Sequence, residues 1–223
     1  MAEYGINISV GRVYRLFKSM NLPKMSTIKS FKSFKHYPKS NSNNTISNNI
    51  LNRNFNIDAP NLVWVSDITY IKVNSNFFYI CVIIDLFSRK VISYKCASSM
   101  SSNLVVSCLK EAFIKRNTPK NLIFHSDRGS QYTSKQFRDI LDEFNITQSL
   151  SMPGSPYDNA VSESFFKFLK LEELNRKTFS NKQELELSLF EYIEGFYNSK
   201  RPHSFNDMLS PNQKEDIFFN THF

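Results

Sequence analysis

Three acidic residues stand at positions where an ionised carboxylate needs an explanation. Asp67 lies inside the apolar run LVWVSDITYIKV, Asp127 follows the short run NLIFHS, and Glu163 comes after 35 intervening residues, 128–162. Carboxylates are depleted in strands because they are costly to desolvate without a partner. Three converging carboxylates would share one explanation, because hard oxygen ligands are those that Mg²⁺ prefers.

A carboxylate set of this kind suits the cleavage and joining of phosphodiesters. Two divalent ions roughly 3.5–4 Å apart can activate the attacking oxygen and stabilise the leaving one, so no side-chain nucleophile is needed. Each acid also has an ordinary explanation when taken alone. Asp67 would be an edge-strand or capping residue, Asp127 a turn residue before Arg128, and Glu163 a solvated helix acid. Their combination favours a metal-dependent active site.

Two further polar residues lie close to this set in the sequence. Asp85 ends the second predicted strand and could line the same cleft, but we interpret it as pairing with Arg89 or capping the turn. His125 could act as a general base, but its place on a short apolar strand favours a core residue or one that supports the acids.

The predicted elements place Asp67 and Asp127 together. Three antiparallel strands, LVWVSDITYIKV, FFYICVIIDLF and KVISYKCA, are followed by a helix at 103–116, a strand at 121–125, a helix at 135–144 and a fifth strand, ITQSL. This order predicts an α/β fold with a mixed five-stranded sheet flanked by helices. The fourth strand is expected to lie parallel to the first and beside it, where active groups of open α/β sheets collect.

Glu163 belongs to a predicted helix that begins near residue 156 and continues to about residue 174. The start pattern is Ser155-Pro156-Tyr157-Asp158, with Pro at the first helical position. Glu163, Lys167 and Lys170 share one face at spacings i, i+4 and i+7, so a metal ligand and two phosphate-seeking cations would lie side by side. The stripe predicted to pack on the sheet comprises Val161, Phe165, Phe168 and Leu169.

The catalytic core is predicted to span residues 59–175, with smaller segments on either side. Residues 1–23 contain a helix from about Ser9 to Met20, with Arg12 and Arg15 on its polar side, and form either a partial helix-turn-helix-like segment or an ordinary packing helix. Residues 24–58 are rich in Lys, Asn and Ser and predict a flexible basic linker, either a plain spacer or a segment that lies on DNA. Residues 176–223 form a C-terminal helical extension, with a helix at 182–199 and an irregular tail after Pro202.

The composition favours a polyanionic partner and excludes several classes of protein. The 223 residues carry a formal charge of +8 and a pI of about 9.3, which suits phosphate neutralisation, although a solvated basic surface is the alternative. Three cysteines without CxxC spacing predict reduced core thiols, and no disulfide framework or zinc site. No run approaches the roughly 18 apolar residues of a membrane span, so we expect a cytoplasmic, nucleoid-associated protein.

Five ordered segments resemble one known family. VWVSDITYI, IDLFSRKVIS, HSDRGSQYTS, SPYDNAVSESFFKFLKLE and YNSKRPH are similar to segments of the DDE transposases of bacterial insertion sequences, in the two-frame subgroup whose catalytic frame carries a retroviral-integrase-like core. The resemblance covers about residues 5–212. It implies an RNase H-like core in which Asp67, Asp127 and Glu163 are the DDE triad holding Mg²⁺ or Mn²⁺, with two ions expected.

The same resemblance implies a reaction and partners. Water would free a 3′-OH at the element's end, and that hydroxyl would attack target DNA, in a homo-oligomer that synapses both ends. We expect DNA contacts from Lys167, Lys170, Arg128, Arg12 and Arg15. Two alternatives stay open: a catalytically inactive, truncated DNA-binding regulator of transposition, and an RNase H-like nuclease that hydrolyses DNA without joining it.

The chain also departs from the family pattern. Met152-Pro153 stands where relatives carry basic residues, which predicts weaker strand contacts in that loop, and SFNDMLSP follows the family's ending only loosely. The amino terminus is short for a complete DNA-binding region, so Met1 is expected to begin a truncated or separately translated catalytic frame.

Overall fold

The computed structural model describes residues 8–20 and 49–222. Two units divide the chain, residues 1–35 and 36–223, and each is described by itself. The helices are α1 (Val10–Ser19), α2 (Ser102–Lys115), α3 (Lys135–Glu143), α4 (Ala160–Glu172), α5 (Lys182–Tyr192) and α6 (Pro211–His222). The strands are β1 (Val63–Val73), β2 (Asn76–Asp85), β3 (Val91–Ala97), β4 (Ile123–Ser126) and β5 (Thr147–Leu150).

Helix α1 is the described part of the first unit. The Ser9 hydroxyl accepts a hydrogen bond from the Arg12 backbone N–H at 3.3 Å, which confirms the predicted N-cap. Within the described residues, none of the α1 side chains is buried, and Arg12 and Arg15 are both exposed. Most of the predicted linker, residues 24–48, lies outside the described part of the chain.

The second unit is built on a mixed sheet with the strand order β3-β2-β1-β4-β5. Strands β1, β2 and β3 pair in antiparallel fashion, and β4 runs parallel to both β1 and β5. The predicted α/β fold with a five-stranded mixed sheet is therefore confirmed, including the position of β4 beside β1. The change in strand order falls between these two strands, because β4 is reached through the crossover helix α2.

Side chains alternate between the two faces of the sheet and form two hydrophobic cores. On one face, Val63 and Val65 of β1 pack in the same core as Phe165 of α4, together with side chains from α5. On the other face, Trp64 and Phe124 pack with side chains of α2 and α3. A side chain of β1 or β4 therefore packs against α4 and α5 if it lies on one face of the sheet, and against α2 and α3 if it lies on the other.

The prediction of an irregular tail after Pro202 is wrong, because α6 occupies Pro211–His222. The helix begins with a reciprocal cap. The Gln213 N–H donates to the Ser210 hydroxyl at 3.3 Å, and the Ser210 N–H donates to the Gln213 side-chain oxygen at 2.8 Å. The predicted helix over residues 182–199 is confirmed over most of its length: α5 covers Lys182–Tyr192, and a π-helical turn, Ile193–Tyr197, follows it directly.

Asp85 caps a turn, as predicted. Its carboxylate is buried and accepts hydrogen bonds from the backbone N–H groups of Asn61 at 2.7 Å and Phe87 at 2.9 Å. Burial raises the pKa of Asp85 to about 6. The Arg89 guanidinium donates instead to the Phe55 carbonyl at 2.9 Å, so the alternative of a hydrogen-bonded Asp85–Arg89 pair is not what the structure shows.

The three cysteines lie on β2, β3 and α2. Cys81, Cys96 and Cys108 are free thiols, and Cys81 and Cys108 are buried. In residues 8–20 and 49–222, no helix combines the length and the apolar character needed to cross a bilayer.

His203, in the YNSKRPH segment, gives the stability of this unit a dependence on pH. Its Nδ1 accepts a hydrogen bond from the Phe205 N–H at 3.3 Å, and burial together with Arg89 and Arg201 lowers its pKa to about 4. Since an unfolded histidine titrates near pH 6.5, the unfolded chain binds more protons than the native chain between pH 6.5 and 4. Stability is therefore lost as the pH falls through this window.

We expect this histidine to account for about 1–2 kcal/mol of the unfolding free energy that is lost between pH 7.5 and pH 5.0. His203→Asn keeps a side-chain acceptor for the Phe205 N–H but cannot gain a proton. Urea denaturation at both pH values should therefore show a smaller loss for His203→Asn than for the wild type. Equal losses in the two proteins would contradict the assignment.

Candidate active site

Asp67 and Asp127 lie side by side on neighbouring strands. The parallel pairing of β1 with β4 places Ser66 opposite Ser126, and the two aspartates are the next residues on their strands. Alternation places both on the face where Val65 packs, which is the face that α4 covers. Both side chains are half-buried. This is the arrangement that the strand order predicted.

A backbone N–H group orients each of these carboxylates. Oδ1 of Asp127 accepts from the Gly129 N–H at 2.9 Å, and Oδ1 of Asp67 accepts from the Ile68 N–H at 2.8 Å. A Cβ atom at Gly129 would lie 3.0 Å from Asp127 Oδ1 and 3.0 Å from Gln131 Oε1. A side chain at Gly129 would therefore press on the Asp127 carboxylate and on Gln131, and both would have to shift by a few tenths of an ångström.

Tyr132, which the sequence did not single out, packs on the opposite face of the sheet from the two aspartates, with Trp64 and Phe124. Its buried hydroxyl lies 2.7 Å from the Ser66 hydroxyl, which itself donates to the Val82 carbonyl at 2.7 Å, so Tyr132 is the donor to Ser66. Burial raises the pKa of Tyr132 well above its ordinary value, and the nearby charges of Asp67 and Asp127 add to the effect. Tyr132 is therefore neutral and close to both carboxylates.

His125 is a core residue that connects β4 to the loop before α4. Its Nδ1 lies 2.9 Å from the Ser149 hydroxyl, and its Nε2 lies 3.1 Å from the Ser151 hydroxyl and 3.0 Å from the Asp158 carbonyl oxygen. Burial lowers the pKa of His125 to about 4, so the ring is neutral at pH 7. With both ring nitrogens engaged in the fold, the core interpretation is confirmed over that of a general base.

Glu163 lies in the first turn of α4, whose start differs from the prediction. A 3₁₀ turn, Pro156–Asn159, precedes the α-helix, which begins at Ala160. The predicted cap by Ser155 does not form, because Asp158 points inward and accepts from the Met152 N–H at 2.9 Å. Glu163 is therefore one turn into the α-helix, and not the two turns that were predicted.

Helix α4 is anchored on both sides of Glu163. At its beginning, Asp158 contacts His125 through its carbonyl oxygen. Towards its end, the Lys170 ammonium lies 5.6 Å from the centre of the Tyr70 ring. It also interacts electrostatically with the Asp67 carboxylate. Burial lowers the pKa of Lys170, and Asp67 opposes that shift. Glu163 thus lies on the stretch of α4 between an anchor beside β4 and an anchor beside β1.

The buried stripe of α4 matches the prediction only in part. Phe165 and Leu169 are buried as predicted, Val161 is partly buried against the same core, and Phe166 is buried although it was not predicted. Phe168 is only half-buried and has the Arg201 guanidinium 4.1 Å from its ring centre. The sequence did not indicate this packing, because Arg201 is distant in the chain.

The predicted DNA-contacting residues occupy different places. Lys167 is exposed one turn from Glu163, and Lys170 lies near Asp67. The Nε of Arg128 donates to the Ser151 carbonyl at 2.8 Å, so this side chain supports the loop before α4. Arg12 and Arg15 are exposed on α1, in the other unit of the chain.

The chemistry of the donor set fits a hard divalent cation. The three acids offer carboxylate oxygens in half-buried positions, and a backbone N–H already orients one oxygen of each aspartate. Within residues 8–20 and 49–222, no group of three or more His, Cys, Asp or Glu side chains is already gathered as a metal-binding cluster. The structure therefore brings Asp67 and Asp127 together, while Glu163 lies on the helix that covers their face and, in the described part of the chain, does not complete a three-acid cluster with them.

Sequence comparison shows similarity to integrase core domains and to transposases over most of the chain. Residues 58–156 and 144–211 both match families described as integrase core domain. The transposase of insertion sequence element IS904 of Lactococcus lactis is 39% identical over 212 residues, covering 95% of this chain and 82% of that protein.

Solved structures of retroviral integrases resemble this fold at low sequence identity. The catalytic core domain of HTLV-2 integrase, in complex with magnesium and in trimeric form, has a TM-score of 0.54 and 19% identity, covering 70% of this chain and 97% of that one. A chain of the simian T-cell lymphotropic virus intasome has a TM-score of 0.59 and 20% identity, covering 70% and 54%. The RNase H-like architecture predicted from the sequence is thereby confirmed.

Proposed function

We propose that this chain, which belongs to the transposases of bacterial insertion sequences with an integrase core domain, performs DNA strand cleavage and strand transfer at a site formed by Asp67, Asp127 and Glu163. The observation that carries the site assignment is the pairing of Ser66 with Ser126, which sets the two aspartates side by side on the face that α4 covers. We infer that α4, which covers this face, carries Glu163 towards the two aspartates.

The three acids would hold Mg²⁺ or Mn²⁺, and we expect two ions. When bound, such ions would activate the attacking oxygen and offset the negative charge that builds on the phosphate. The chain's own contribution is orientation: the N–H groups of Gly129 and Ile68 each hold one aspartate oxygen, and the neutral Tyr132 hydroxyl bonds Ser66, the residue directly before Asp67. The Lys170 ammonium lies near Asp67 and can approach a phosphate oxygen.

The proposed partners are the ends of the insertion sequence and target DNA, brought together by a homo-oligomer on nucleoid DNA. The net charge of +8 supports a polyanionic partner, and Lys167 offers an exposed cation on the turn after Glu163. Arg128 would reach DNA through the part of its guanidinium that does not hold Ser151, and Arg12 and Arg15 would contact phosphates from α1.

Lys167→Ala and Lys170→Ala should each weaken DNA binding uniformly across sequences. Removing one phosphate contact reduces the slope of log affinity against log salt by about 1. Fluorescence anisotropy with an element-end duplex at several salt concentrations measures both effects. Lys135→Ala removes an equal charge from an exposed pair with Asp139 on α3 and is the matched control. Affinity and slope equal to those of the control would show that the two lysines do not contact DNA.

A strand-transfer assay with a pre-nicked element end separates the proposed function from its alternatives. The enzyme joins the 3′-OH strand to target DNA in the presence of Mg²⁺. A catalytically inactive regulator would bind the end without producing joined strands, and a nuclease would release hydrolysed fragments only. Absence of joined product under conditions that support binding would contradict the proposed function.

A further inference from the structure

The loop that joins β5 to α4, residues 151–159, connects the two sides of the proposed site. At one end, the Ser151 N–H donates to the Ser126 carbonyl at 2.9 Å, directly before Asp127. At the other end, the loop passes through the 3₁₀ turn into α4, which carries Glu163. The shape of this loop therefore sets where α4 begins relative to β4.

The buried side chain of Asp158 joins the two ends of the loop by a hydrogen bond. Its side chain is 1% exposed, and its Oδ2 accepts from the Met152 N–H at 2.9 Å, which joins the two ends of the segment 152–158. Its carbonyl oxygen lies 3.0 Å from His125 Nε2. A buried carboxylate is costly unless it is paired, so the conformation of the loop depends on the partners that Asp158 has.

Those partners come from residues 49–55, a segment that we call the strap. Asn49 Nδ2 donates to Asp158 Oδ2 at 2.9 Å, and Arg53 Nε donates to Asp158 Oδ1 at 2.7 Å. Arg53 Nη2 also donates to the Ser155 hydroxyl at 3.1 Å, so one guanidinium bonds two residues of the loop. Its carbon Cζ lies 5.9 Å from the centre of the Tyr157 ring.

The strap is itself packed on the core, so it can hold Asp158 in a fixed position. Leu51 is buried, and its N–H donates to the Ser149 hydroxyl at 3.1 Å. The same hydroxyl contacts His125, whose other nitrogen contacts the Asp158 carbonyl. The loop is thus held by His125 on its inner side and by Arg53 on its outer side.

We propose that Arg53 is a positioning residue for strand transfer, which pairs with Asp158 to hold the 151–159 loop and so presents Glu163 to Asp67 and Asp127. This inference rests on the proposed function of those three acids. Arg53 acts through the loop and α4, and its effect should therefore fall on the rate of the chemical step more than on the binding of DNA.

Arg53→Ala should lower kcat for strand transfer about 10- to 100-fold and change KM for DNA less than about 3-fold, since small misplacements of a reacting group are costly. Arg53→Lys keeps a cation for Asp158 but cannot bond Ser155 in the same way, and should recover most of the lost rate. Arg138→Ala removes the same charge from an exposed position on α3 and should leave kcat unchanged.

Hydrogen exchange without added metal provides a readout that does not depend on catalysis. Because the Met152 N–H donates to Asp158, Arg53→Ala should increase amide exchange in peptides covering residues 151–159, and Arg53→Lys should increase it less. Asp158→Asn should lower the rate at least as much, because it also weakens the bonds to Asn49 and Met152. Adding Arg53→Ala to it should cause little further loss, since the Arg53–Asp158 ion pair is already broken.

Three outcomes would overturn the inference. The first is a kcat for Arg53→Ala equal to that of Arg138→Ala. The second is a raised KM with unchanged kcat, which would identify Arg53 as a DNA contact. The third is unchanged exchange in the loop. Glu163→Gln, assayed in parallel, separates the two proposals: if it is inactive while Arg53→Ala is fully active, only the positioning role fails. If Glu163→Gln is active, the site assignment and the positioning role fail together.

Discussion

Asp127→Asn should lower the rate of strand transfer by on the order of 10³-fold or more while the chain stays folded. Asparagine has the shape of aspartate and keeps an acceptor for the Gly129 N–H, but it lacks the charge needed to bind a divalent cation. Metal ions supply several kcal/mol of charge stabilisation in such reactions, and about 4 kcal/mol corresponds to a 10³-fold change in rate. Asp67→Asn and Glu163→Gln should have effects of the same order.

The measurement is joining of a pre-nicked element end to target DNA at fixed Mg²⁺, with circular dichroism and thermal unfolding to confirm the fold. Asp139→Asn is the matched control, because Asp139 is exposed on α3 and pairs only with its helical neighbour Lys135 among the bonds described. It should keep wild-type activity. If any one of the three variants also kept near-wild-type activity, the role of that acid as a ligand would be wrong.

The position of the two aspartates could be predicted because it depends on patterns that are local in the sequence. Alternation along β1 assigns Trp64 and Val65 to opposite faces, and the order of strands and helices makes β4 parallel to β1. Together these place Asp67 and Asp127 on one face before any contact is known. Asp67 lies in the long apolar strand β1, and Asp127 directly follows the short apolar strand β4, which the order of elements places beside β1.

The supporting residues could not be predicted because their roles depend on contacts between distant segments. Tyr132 looks like an ordinary core aromatic residue, and only the fold shows its hydroxyl on Ser66. Asp158 fits a capping pattern with Ser155, but the bonds from Arg53 and the Met152 N–H turn it inward. A local pattern was present in the second case, and a tertiary interaction overrode it.

Helix α6 shows a different reason for a missed element. Its start carried a usable local signal, because Ser210 and Gln213 have capping-box spacing and Pro211 stands at the first helical position. Its sequence, however, has no clear apolar stripe, which is the signal that periodicity detects. One acid of the helix, Glu215, is buried, and its partners lie about a hundred residues earlier in the chain.

Glu215→Gln should therefore lower the unfolding free energy of the second unit, residues 36–223, by about 3 kcal/mol. This value is at the lower end of the cost of breaking a buried ion pair. The Glu215 side chain is 4% exposed and accepts from both terminal nitrogens of Arg116, at 3.1 and 2.6 Å. It also accepts from Lys90 at 3.0 Å and from the Ser88 hydroxyl at 2.8 Å. Glutamine keeps one acceptor oxygen but leaves two cations without a carboxylate.

The pH dependence of this loss distinguishes a charge effect from a packing effect. Burial alone would raise the pKa of Glu215, but Arg116 and Lys90 outweigh it and hold the pKa below the usual range. The carboxylate's contribution is therefore present above the pKa of an unfolded glutamate and is lost as the pH falls through the native pKa. Denaturant unfolding should show the gap between wild type and Glu215→Gln narrowing as the solution is acidified.

Glu186→Gln is the matched control, because Glu186 forms an exposed i, i+4 pair with Lys182 on α5, and such pairs contribute less than about 1 kcal/mol. A loss in Glu215→Gln no larger than in this control would mean that α6 is held by its apolar contacts, such as the 5.0 Å packing of Phe218 on Phe87. A loss that stays constant with pH would mean that the shape of Glu215, and not its charge, holds α6 against the sheet.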